Sequence, residues 1–233
     1  MTTVLTHPPL TPADADPARF RRVSRIAGVI GLGVIVTAFP GSDDPSFTDA
    51  SNAEILSWVH HHVTAIYVHG FQNAVCMLLN AALLGILIWR SGVRGWARQV
   101  AWMMIGTSLA IDMVNTGASY TLAKLADRGA PDGALLTMFS FVEQATFTDG
   151  ITWGAVILVA AVASMRARTL PRPVVWVALV AVVVHLLGIP VQLVLNGTVQ
   201  GITGPLSMIC FMLWMLSVSL ALLIRPAGPA TAR

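Results

Sequence analysis

Charge is what this chain has least of. Asp, Glu, Lys and Arg make up 11% of its 233 residues, and lysine occurs once, at Lys124. A soluble domain carries about a quarter charged residues, so a water-facing globule of this length is excluded. Cysteine is nearly absent too. Cys76 and Cys210 form no Cys-x-x-Cys pair, which removes a disulfide scaffold and a zinc ribbon and leaves two small packing residues. Catalytic signatures are missing: there is no Gly-x-Ser-x-Gly elbow, no His-Glu-x-x-His and no Asp-Asp-x-x-Asp. Gly28, Gly31 and Gly33 follow no strand, so they read as close helix packing rather than a nucleotide loop.

What is abundant is apolar sequence, at 55% of residues. Residues 63–89, 100–123, 135–165, 174–195 and 202–224 approach or exceed the ~20 residues that cross a bilayer as helix. A shorter run, 26–39, is extended by Phe20 and Val23 if the intervening arginines snorkel. That run also has the length of a signal-peptide core, but Val36-Thr37-Ala38 is a poor cleavage site and Pro40 follows closely. The expectation is an all-α, polytopic bundle of six spans: a cytoplasmic tail over 1–18, one transmembrane domain over 19–225, and a short tail over 226–233. Pro8, Pro9, Pro12 and Pro17 with Asp14 and Asp16 give the first tail a disordered composition.

Positive charge orients the bundle. Twelve of the 14 basic residues precede the first span, fill the second and fourth connections, or follow the last span. Only Lys124 and Arg128 fall on the other side. The positive-inside rule places both termini in the cytoplasm. The basic balance therefore speaks of lipid headgroups and not of nucleic acid, since no basic helix or aromatic–basic groove is present. The first external connection, 40–62, opens on the turn residues Gly41, Asp43, Asp44 and Pro45. Ser51-Asn52-Ala53-Glu54 then has capping-box form and leads into an amphipathic turn anchored by Trp58. Residues 126–134 and 196–204 read as the other external turns. Pro190 is expected to bend the fifth span beside His185.

Polar residues recur inside the spans at helical spacing. His69, Asn73, Cys76 and Asn80 share one face of the second span; Ser108, Asp112, Asn115 and Ser119 share one face of the third. Glu143, Gln144 and Asp149 interrupt the fourth, and His185, Gln192 and Asn196 mark the fifth. A carboxyl at bilayer depth costs about 2.5–3.5 kcal/mol on insertion scales, so these groups should turn inward and meet one another. Counted by rise per residue, His69 and Glu143 lie about 10–12 Å below the external ends of their spans, and Asp112 and His185 about 15 Å. The set converges on the outer half of the membrane.

The leading reading is acid–base chemistry on a lipophilic small molecule: isomerisation, hydration or cyclisation. Asp112 and Glu143 are the facing pair, one a proton donor, with the other or His185 as base. His69, Asn73, Asn115, Gln144, Asp149 and Gln192 are candidate ligand contacts, and Tyr67, Phe141, Phe147 and Trp153 candidate shields for a cationic state. Alternatives are a small proton-coupled transporter with Asp112, Glu143 and Asp149 titrating, and a scaffold in which these residues only pair helices. A b-type haem between His69 and His185 is a further alternative. No cofactor motif and no metal-ligand spacing is present; His60-His61-His62 points in three directions on a helix and cannot surround one ion. The partners implied are the bilayer and a small molecule.

The basic 21–30 entry, the acidic external loop and six spans of this size resemble a family of bacterial six-span integral membrane proteins of unknown function. The likeness is one of layout over most of the chain. It implies the topology and a bacterial inner-membrane location, and transfers no catalytic residue.

Overall fold

A computed structural model describes residues 16–38, 50–194 and 197–224; side chains are described within these segments except at 147, 149, 187–194 and 197–205. Seven helices account for the described chain: α1 (Pro17–Thr37), α2 (Asn52–His61), α3 (Val63–Arg90), α4 (Gly95–Asp127), α5 (Asp132–Ala167), α6 (Arg172–Val194) and α7 (Gly197–Ile224). No strand occurs among the described residues. Among the described residues, three helices are long and apolar enough to cross a membrane: α3, α5 and the Leu206–Ile224 part of α7.

Local chemistry sets the boundaries. Asp16 caps α1 by accepting from the Ala18 N–H at 3.1 Å. The capping box forms as the sequence implied: Ser51 N–H donates to Glu54 Oε2 at 2.7 Å, and Glu54 N–H donates to Ser51 Oγ at 3.3 Å. The Ser51 N–H, together with the Ser51 hydroxyl that donates to the same Oε2 at 2.8 Å, holds the exposed Glu54 carboxyl below its ordinary pKa. α2 does not run on into α3. His62 leaves helical geometry, at φ −119° and ψ 23°, between the two. The loop expected at 196–204 is instead helical from Gly197. Backbone groups close to lipid are best satisfied within a helix, which outweighs the modest propensity cost of glycine. Pro190 lies within α6 without ending it. The residues 39–49, with the turn at Gly41–Pro45, lie outside the described set.

The long helices close a ring. In order around it α1 neighbours α3, then come α4, α5, α6 and α7, and α7 returns to α1; α3 also reaches α5 across the middle. α2 rests on α3, α4 and α5. Glycine makes the closing contact. A Cβ on Gly28 would sit 2.6 Å from Leu223 Cγ and 2.9 Å from the Ser219 carbonyl, and one on Gly31 would collide with the Ser219 hydroxyl. Only hydrogen lets α1 approach α7 this closely, the small-residue packing expected where helices meet in lipid.

Two apolar clusters divide the bundle along its length. The larger joins α1 and α3 through α7 around Leu83, Leu84, Leu87, Ile157, Trp214 and Met215. The smaller lies under α2, where Ile55, Val59, Ile66, Leu122, Leu135 and Phe139 pack. On α3, α4 and α5 a stretch between the clusters belongs to neither and carries His69, Asn73, Asp112, Asn115, Glu143 and Thr146, while Asn80 and Ser108 lie at the edge of the larger cluster.

One arginine departs from its sequence reading. Arg90, expected on the cytoplasmic rim, is the last residue of α3 and only 3% exposed. It donates to Ser24 Oγ of α1 and, at 3.3 Å, to the Thr169 carbonyl after α5, with its guanidinium 4.7 Å from the Phe20 ring centre. Phe20 in turn packs on Trp89 at 5.6 Å. A single side chain thus ties three parts of one end of the bundle together.

Candidate functional site

The site follows from the register of α3, α4 and α5. Across α3 and α4, a Cβ on Gly85 would meet the Trp102 ring at 2.7 Å, and one on Gly70 the Tyr120 ring at 3.1 Å. Across α4 and α5, Trp153 Nε1–H donates to Asp112 Oδ2 at 2.7 Å, and Asn115 Nδ2–H donates to Thr146 Oγ1 at 3.0 Å. Counting along these antiparallel pairs places the remaining polar residues on four successive levels.

The outermost level holds His69, Ser119 and Glu143. The next holds Asn73, Asn115, Thr116 and Thr146. Asp112 follows, joined to Trp153, and Asn80 with Ser108 is the deepest. On α3 and α4 burial increases toward the deepest level, whereas Thr146 of α5 is exposed. His69, Asn73 and Glu143 are half-buried, whereas Asp112 and Ser108 are fully enclosed and Asn80 is 1% exposed. Four buried side-chain atoms in the column have no hydrogen-bond partner among the described residues: Asn80 Oδ1, Ser108 Oγ, Asn115 Oδ1 and Thr116 Oγ1. Each such atom costs about 1–3 kcal/mol when nothing satisfies it. Five further such atoms, on Trp58, Arg90, Ser164, Thr169 and Trp214, lie elsewhere among the described residues; the four of the column stand together on α3 and α4.

The expected trio of Asp112, Glu143 and His185 is not gathered at one point. Seven residues of α4 separate the Asp112 level from the Glu143 level, about 10 Å along the axis. His69 shares the Glu143 level in Asp112's place. His185 belongs to another interface: its Cβ lies 3.5 Å from where a Gly154 Cβ would stand, and its ring packs against Phe211 of α7 at 6.1 Å. Its Nδ1 is 3.2 Å from the Ala181 carbonyl. α5 stands between His185 and Asp112. Gln144 is exposed, next to inward Glu143, because neighbours on a helix point about 100° apart. The side chains of Asp149 and Gln192 lie outside the described set.

Trp153 was singled out in the sequence as a ring that could shield charge; at 3% exposure it instead offers its indole N–H to Asp112. Thr146, which the sequence does not set apart, accepts from Asn115, and that pairing depends on interhelical register. Phe141 is exposed and does not line the column.

The residues do not fit a haem held by two histidines. His69 and His185 stand on helices that are not neighbours in the ring, about 16 Å apart along the axes by the register. No group of three His, Cys, Asp or Glu side chains with metal-binding geometry occurs among the described residues. Of the histidine triplet, His61 and His62 turn back to the Ser57 and Trp58 carbonyls at 2.6 and 2.8 Å, and His62 stacks on the Trp58 ring at 5.2 Å. No protein-family model, curated protein or solved structure matches the chain.

Proposed function

We propose that the chain is a six-span protein of a bacterial cytoplasmic membrane with both termini in the cytoplasm. In this reading α1 and α3 to α7 cross the bilayer, and α2 lies along the external interface as a cap. The distribution of 14 basic residues supports the orientation. The ring of long helices and the amphipathic capping of α2 support the count of spans.

The polar column of α3, α4 and α5 then binds the polar end of a lipophilic small molecule in the outer half of the membrane. Acid–base chemistry is the reaction class its residues suit. His69 and Glu143, on one level, form the proton-transferring pair. Asn73, Asn115 and Asp112 below them receive the ligand's polar group, with Trp153 orienting the Asp112 carboxyl. His185 takes no part. The observation that carries the reading is that Asn80 Oδ1, Ser108 Oγ, Asn115 Oδ1 and Thr116 Oγ1, four buried polar atoms on neighbouring levels of α3 and α4, have no hydrogen-bond partner among the described residues. Among the described residues, the helix faces that carry Asn80 and Ser108 continue toward the cytoplasmic end as Leu84, Leu87, Ile105 and Ala101, which favours a blind site over a proton-coupled transporter.

A second reading has one observation of its own. The Asp112–Trp153 and Asn115–Thr146 bonds each join α4 to α5, as they would in a scaffold whose polar groups only pair helices. Organic extraction of the purified protein separates the two. A small molecule recovered with the wild type and lost in both Asn115→Leu and Glu143→Gln supports a ligand site. Identical extracts together with an unchanged cellular phenotype leave the scaffold.

A further inference from the structure

The outer face of α1 carries a groove that the polar column does not use. It has a volume of about 470 Å³, and its described lining is Ala18, Arg21, Arg22, Arg25, Ile26, Val29 and Ile30. We propose that this groove docks one anionic phospholipid of the cytoplasmic leaflet, phosphate on the arginines and an acyl chain along the helix.

Three features select that occupant. The first is charge. Three arginines line the groove, and no described lining residue is acidic. Asp16, the nearest acid in the described chain, directs an oxygen to the Ala18 N–H as the helix cap. Directly behind the groove a fourth cation, Arg90, is buried against Ser24, and it meets a hydroxyl, a carbonyl and an aromatic ring, all neutral. This end of α1 therefore concentrates positive charge that calls for an anion. The second is order along the axis. Arginines occupy the first half of the groove and aliphatic residues the second, with Ile30 about 13 Å beyond Arg21 by helical rise. A headgroup followed by a chain has that same order; a free phosphate has no use for the apolar half. The third is exposure. Ile26 is 47% and Val29 61% exposed on a helix whose opposite face is packed by Phe20, Ser24 and Ala27. Arginine suits the contact because its planar fork grips phosphate oxygens in pairs.

The inference rests on the membrane placement proposed above, which carbonate-resistant recovery of the chain in the membrane fraction tests separately. The docking itself is tested by native mass spectrometry of the full chain with equimolar phosphatidylglycerol and phosphatidylcholine. The expected result is retention of phosphatidylglycerol over phosphatidylcholine by about tenfold or more, as several surface arginines acting together imply. The triple variant R21Q/R22Q/R25Q should fall to about parity. A control that removes three arginines elsewhere, R94Q/R98Q/R166Q, should keep the preference. V29W, which fills the apolar half and leaves every charge in place, should also lose it, so the result does not depend on the triple variant folding. Inorganic phosphate should not displace the lipid. Equal losses in both triple variants, an unaffected V29W, displacement by phosphate, or no preference in the wild type would each overturn the proposal.

Discussion

The bond between Trp153 and Asp112 gives the sharpest test of the register on which the site stands. Both side chains are buried, at 3% and 0% exposure, and the indole nitrogen is 2.7 Å from Oδ2. Trp153→Phe removes the donor while keeping most of the ring. Interhelical hydrogen bonds in lipid average about 0.6 kcal/mol and reach about 1.7, whereas bonds to a charged group in proteins are worth about 1.5–3. A short, fully enclosed bond falls where those ranges meet, near ~1.5 kcal/mol. Loss of ring volume adds to the cost of the single variant, so the bond must be isolated by a cycle. Asp112→Leu leaves the indole N–H buried without its acceptor; combining it with Trp153→Phe leaves no orphan, and the double variant should be more stable than the single effects sum to. The coupling of ~1.5 kcal/mol corresponds to about 3–6 °C in thermal midpoint for a chain of this size. Thermal unfolding in detergent micelles, followed by circular dichroism, measures it. Effects that add to within about 0.5 kcal/mol would mean that the two side chains do not meet, and the levels assigned to Asp112, Glu143 and His69 would fall with them.

Arg90→Lys should lower the thermal midpoint more than Arg90→Met, because lysine keeps a buried charge but cannot reach Ser24 and Thr169 together; the reverse order in the same unfolding assay would remove the clamp. Gly31→Leu should cost at least about 2 kcal/mol by driving α1 off Ser219, whereas Gly106→Ala, with nothing within 4 Å, should be neutral or stabilise by about 0.5–1 kcal/mol. The depressed pKa of Glu54 makes the start of α2 sensitive to acid. Its contribution is fully present above the unfolded pKa of about 4.3 and is lost as pH falls through the lower, folded value. Amide protection factors at α2, taken against the intrinsic exchange rate, should therefore fall below about pH 4 in the wild type, and that fall should be absent in Glu54→Gln.

Composition and periodicity were enough for the class of this protein. Scarce charge left no coating for a water-facing surface, and apolar runs of about 20 residues had one economical form, so an all-helical bundle was legible before any coordinates. Local signals also held. The Ser51–Glu54 box lies within four residues, and the glycines of α1 announced a close approach without naming α7 as its partner. The polar faces of α3 and α4 were visible because helical spacing puts i, i+4 and i+7 on one side. Which residues meet across helices was not visible. Axial offset between two helices is set by the knobs and gaps of their whole interface, among them Trp102 against Gly85 and Tyr120 against Gly70, and no single segment encodes it. That is why Asp112 lies with Trp153 and not level with Glu143, why His185 belongs to the α7 side of α5, and why Arg90 is enclosed when its position at a helix end suggested the rim. Spacing along a chain fixes the direction of a side chain on its own helix; only packing fixes what stands opposite.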